Sequence, residues 1–198
     1  MVFTRIAAPA GVLFALTGTA LAHGGHGDAG GFAHGFMHPF GGLDHVLVMA
    51  AVGLYAARLG GRALWLMPAT FVCVMTLGAL LGASGMAVVF FEIGIAISVV
   101  ALGMAIALHV TLPALTTVAL IGLFAIFHGY AHGIEMPPSA SVYQYASGFT
   151  LATALLHGAG IALGLLAGKL SEVGGRRAFQ VGGGGMALAG LAIVAGAL

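Results

Sequence analysis

Charged side chains are scarce along this chain. Its 198 residues hold 6 Lys or Arg and 5 Asp or Glu, 6% of the total, against about 25% in an ordinary soluble domain. A soluble fold of this size has to clothe its surface in polar groups, and so few charges cannot do that. Hydrophobic residues make up 61%, which excludes intrinsic disorder. A net charge of +1 gives no electrostatic footprint for nucleic acid. The expected fold class is therefore all-α, a polytopic membrane protein in contact with the lipid bilayer. Only Cys73 is present, so no intrachain disulfide can form. The 34 Gly suit helices that approach each other closely in a bilayer, and a homo-oligomer is compatible with that packing.

The N-terminal segment reads as export rather than fold. Arg5 precedes a short apolar stretch, and Ala20-Leu21-Ala22 is a small-x-small cleavage pattern, so residues 1–22 are expected to be a signal peptide. Residues 23–37 are Gly-rich and polar and read as a periplasmic His-rich tail, followed by a transmembrane domain over 38–198. A helix needs about 20 apolar residues to cross the hydrocarbon. Six segments qualify: 40–58, 64–83, 86–108, 112–131, 143–167 and 178–197. Arg58 and Arg62 fall in the loop after the first, and Lys169, Arg176 and Arg177 fall in the loop after the fifth. Six crossings put those loops on one side, the cytoplasm by the positive-inside rule. The mature N-terminus then lies in the periplasm, and the chain sits in a bacterial cytoplasmic (inner) membrane.

Ionisable groups inside spans are costly and usually face a cavity or the bundle interior. This chain clusters them. Near the start of the first span stand His38, Asp44 and His45, followed by Met49. On one continuous helix His38 and His45 would differ by about 20°, and Met49 would join the same stripe. Asp44 is placed to be a ligand or to fix the His45 tautomer through its ring N–H. At the end of the fourth span His128 and His132 are one turn apart, with Glu135 three residues on. Two His at i,i+4 with a carboxylate is chelating geometry. The two spans run in opposite directions, so both clusters fall in the outer half of the membrane. The six residues are read together as a metal site. Glu92, His157 and Met49 are further pathway candidates, as are His23 and His26 of the tail, where cleavage would leave a free α-amine on His23. Asp28 could complete that tail chelate.

Imidazole with carboxylate suits Ni, Co, Zn, Cu or Fe, whereas Mg and Ca prefer oxygen alone. The segments His38–Gly53 and Phe127–Pro137 resemble the HupE/UreJ family of bacterial nickel permeases, supported by 90–99 and 145–157. The resemblance implies export by a signal peptide, six spans, and supply of Ni²⁺ for hydrogenase or urease maturation. It also implies His38, Asp44 and His45 as one motif and His128, His132 and Glu135 as the other.

The expectation is a divalent-metal permease, for nickel before cobalt, that is not an enzyme and carries no prosthetic group. No G-x4-G-K-[ST] motif occurs in the sequence, so the chain is not expected to hydrolyse ATP. Because only neutral imidazole ligates, uptake should fall below about pH 6.5. The alternative is an intramembrane metal-dependent hydrolase using the same His/Asp site.

Overall fold

A computed structural model of the chain describes residues 29–196. The expected signal peptide and His23, His26 and Asp28 lie outside the described residues. Within them every element is helical. A short α1 (Ala29–Met37) leads through a 3-10 turn (His38–Gly41) into α2 (Leu43–Leu59). There follow α3 (Ala63–Ala83), α4 (Phe91–Ala107), α5 (Ala114–Ile134), α6 (Val142–Gly168) and α7 (Glu172–Val194).

Four of these, α3, α5, α6 and α7, are long and apolar enough to cross a membrane. The segment from α1 through the 3-10 turn and α2 form a bent pair, 84° apart, that raises the number to five if counted as one span. The apolar α4 is shorter, at 17 residues. Large apolar side chains such as Trp65, Leu115, Val181 and Leu188 stand exposed on the outside. Water would oppose that arrangement, and lipid would not.

The helices pack in close pairs, α3 on α5, α4 on α7, and α2 on α6, with α1 also laid on α6. Glycine allows the closest approaches. A Cβ at Gly53 of α2 would strike the backbone of His157 on α6, and one at Gly160 of α6 would strike the backbone of Ala50. The Gly78 and Gly82 pair on α3 does the same against α5, whereas Gly168 faces open space. The core lies around α2, where Val48, Met49, Val52 and Tyr55 are buried with Phe71, Met75, Leu102 and Phe149 of neighbouring helices.

Several sequence expectations need adjustment. The first span does not begin at 40 as a continuous helix. Pro39 seats the 3-10 turn, Gly42 is extended at φ −115° and ψ 124°, and the chain bends there. Thus the single helical stripe expected for His38, His45 and Met49 does not include His38. The third expected span, α4, begins only at Phe91, after Gly85 at φ 76° and Phe90 at φ 60° turn the chain. The sixth, α7, begins earlier than expected, at Glu172, because the Ser171 side chain accepts a hydrogen bond from the Gly174 N–H and caps it there. The stretch Ala29–Met37, read from sequence as part of a tail, is helical. Its Gly31 and Gly35 lie against Gln144 and Tyr145 of α6, so glycine serves contact there.

Candidate metal site

The bend at Gly42 brings the start of α2 and the end of α5 together. Asp44 accepts two hydrogen bonds at one oxygen, from the His45 backbone N–H and from His45 Nδ1, each 2.8 Å. With Nδ1 carrying the proton, neutral His45 keeps its lone pair on Nε2. That atom is buried and has no hydrogen-bond partner. The carboxylate therefore fixes the tautomer and leaves the other nitrogen available for a ligand.

His128 reaches a similar condition by a different route. The Ser98 hydroxyl of α4 donates to the Ile95 carbonyl, so its oxygen accepts from His128 Nε2, 3.0 Å away. The lone pair then sits on Nδ1, which is buried and unpartnered. His132 is fully buried with neither ring nitrogen partnered. Its ring is stacked on Phe149 at 5.0 Å and 10°. A small cavity of about 40 Å³ touches His132 and Tyr145, room for one water or ion. The Tyr145 hydroxyl is also buried without a partner.

His38 closes the outer side. Its Nε2 lies 2.9 Å from Glu135 Oε2, and this hydrogen bond, above all, holds the Glu135 carboxyl below the usual carboxylate range. His38, Asp44, His45 and Glu135 line an open mouth of about 360 Å³ with Gly41 and Gly42. From there imidazoles succeed one another inward. Ring centroids are 4.8 Å apart for His38–His132 and for His45–His132, and 5.0 Å for His45–His128. His45 is thus the hub between the open mouth and two fully buried rings. Among the described residues, no three His, Cys, Asp or Glu side chains already meet as a coordination sphere. The donors stand in a file of neighbouring pairs.

All six residues of the sequence-derived set therefore lie in one contiguous group. Of the other candidates, those among the described residues lie apart from it. Met49 is buried in the core one turn after His45 on α2. His157 is buried on α6, where the ring of Phe71 is 5.1 Å from it and 5.8 Å from His128. Glu92 is exposed in the first turn of α4 and lines a separate groove with Val88–Ile93. His34 is exposed on α1.

Ser98 and Tyr145 were not foreseen. A lone hydroxyl in the apolar run of α4 is the signal that could have found Ser98. Tyr145 shares a helix face with Phe149 one turn on, and both rings meet histidines.

The fold and the cluster define a multi-helix protein suited to a bilayer, with a file of histidines leading inward from an acidic mouth. The chain belongs to the HupE / UreJ protein family, whose model matches residues 11–193. It is 44% identical over 184 residues to "Protein HupE" of Rhizobium leguminosarum bv. viciae, a match that covers 92% of this chain and 93% of that protein. No solved structure matches it.

Proposed function

We propose that this chain is a divalent transition-metal permease, with Ni²⁺ as its first substrate, importing the ion across the cytoplasmic membrane for maturation of hydrogenase or urease. The observation that carries the reading is the set of unpartnered imidazole nitrogens behind the open mouth. Buried polar atoms in folded proteins nearly always find partners. Here His45 Nε2, His128 Nδ1 and both nitrogens of His132 do not, and they adjoin one another. Nitrogen donors flanked by Asp44 and Glu135 suit a borderline divalent cation and not Mg²⁺ or Ca²⁺. Neighbouring pairs, rather than one closed sphere, allow an ion to bind and leave.

In this reading α2 to α7 are six crossings. At about 1.5 Å per residue the 17 residues of α4 cover most of the hydrocarbon. Support for one cytoplasmic end comes from Arg58, whose Nη1 donates to the Val110 carbonyl in the α4–α5 loop at 2.7 Å, and which lines a cavity with Arg176 of α7. Loops expected on the same side therefore meet. The outer end carries the site, and the N-terminal region faces the periplasm. No step of this function is an enzymatic reaction.

The test is radioactive Ni²⁺ uptake by cells expressing the chain, beside His45→Ala and His132→Ala. Uptake by the parent and its loss in both variants is expected. A parent that accumulates no Ni²⁺, yet is purified with stoichiometric Zn²⁺, would instead point to a hydrolase.

A further inference from the structure

His157 is not part of the outer cluster, and nothing in the fold explains its imidazole. It is 1% exposed, and neither ring nitrogen has a partner. A neutral imidazole always presents one N–H and one lone pair, so both of its hydrogen-bonding capacities are unmet. A residue kept only for packing would be served better by Leu or Phe.

Its surroundings supply a second donor. One turn earlier on α6, the buried Thr153 hydroxyl donates to the Met75 thioether of α3 at 3.9 Å. Met75 is fully buried, and its sulfur lies against Thr153, one turn before His157 on the same stripe of α6. On the third side α2 comes so close that Gly53 rests against the His157 backbone. The Phe71 ring, edge-on to His157 at 88°, stands next to both it and His128. No direct ring contact joins His157 to the outer histidines.

We propose that His157 and the Met75 thioether form a second metal station, separated from the outer cluster by the Phe71 ring and distinct from it. This rests on the reading of the chain as a metal permease. The ligand class is a borderline or soft transition-metal ion, Ni²⁺ or Co²⁺ before Mg²⁺, because thioether and imidazole together discriminate against hard cations. A thioether carries no charge and ligates weakly, which suits an ion that has to move on.

The experiment uses the full chain, purified in lipid nanodiscs, with Co²⁺ as the probe read by its visible absorption. In the outer-site variant His45→Ala/His132→Ala, a Co²⁺ band is expected to remain. Met75→Leu should shift it, and His157→Leu should abolish it. An outer-site variant with no band, or a band indifferent to His157→Leu, overturns the station. In cells, His157→Leu and the milder His157→Gln should each lower Ni²⁺ uptake at least tenfold. The purified single variants should retain the outer Co²⁺ band, which also shows that they fold. Metal-free His157→Leu should melt no lower than the parent, and uptake at the parental rate would overturn the proposal. If the parent takes up no Ni²⁺ but the His157-dependent band is present, the permease reading fails and the station stands.

Discussion

Histidine occurs at both ends of the bundle and is used in opposite ways. At the mouth, Asp44 accepts a hydrogen bond from His45 Nδ1–H and leaves the lone pair of Nε2 free. At the other end Arg58 Nε donates to His109 Nδ1 at 3.1 Å. A guanidinium has no lone pair to offer, so it consumes that of Nδ1 and forces the proton onto Nε2. His109 is thereby excluded as a ligand through either nitrogen. It sits at φ 55° in the α4–α5 loop, with its ring against Phe179 of α7 at 6.2 Å, and ties helix ends together. The neighbour, carboxylate or guanidinium, decides whether an imidazole is a donor site or a structural bracket.

That contrast can be broken most sharply at the buried His132, whose ring meets both His38 and His45. His132→Ala removes the ring between His38 and His45 and should abolish Ni²⁺ uptake; a rate within a few-fold of the parent would show that the file of imidazoles is not the route. A smaller loss is expected at Asp44. Asp44→Asn keeps the shape but weakens control of the His45 tautomer, and such partners are generally worth about 10–100-fold in metal affinity. A binding isotherm of the purified chain with Ni²⁺ checks it.

Ser98→Ala should weaken affinity less, by roughly threefold, at the low end of what a neutral hydrogen bond contributes. It frees His128 Nε2 without adding a charge, and equal affinity would mean that Ser98 does not choose the tautomer. At the opposite end the expectation for metal is no change at all. Arg58→Leu should leave Ni²⁺ affinity at the parental value while lowering stability by roughly 1–3 kcal/mol, since His109 Nδ1 loses its donor and the Val110 carbonyl keeps only the Tyr55 hydroxyl. Altered affinity with unaltered melting would reverse the assignment of the two ends.

Much of this molecule could be read in advance. Every expected apolar segment corresponds to a helix, since only an internally bonded backbone suits an apolar surrounding. The candidate cluster was legible because ionisable residues in such segments are rare and therefore conspicuous. The bend before α2 was not. It depends on Gly42, extended at the turn, whose missing Cβ leaves room for the Asp44 carboxylate and the His45 ring to close over it. Nor was α1 foreseen, because a Gly-rich stretch looks flexible until a partner helix is there for its bare backbone to touch. The sequence offers Glu92 only as a further pathway candidate, and packing puts it in another groove, away from Glu135 at the mouth.

Composition and spacing alone therefore determined the all-helical architecture and which residue types gather near one end. Both follow from local rules: apolar length for the helices, and the 3.6-residue turn that aligns His128, His132 and Glu135. The neighbouring Asp44 sets the His45 ring from within the sequence, whereas tertiary structure decided which nitrogen of His128 and of His109 is left without a partner. That depends on atoms far away in sequence, Ser98 for His128 and Arg58 for His109. A hydrogen bond of about 3 Å between distant segments has no periodicity to reveal it, and it separates an imidazole that can hold a metal from one that cannot.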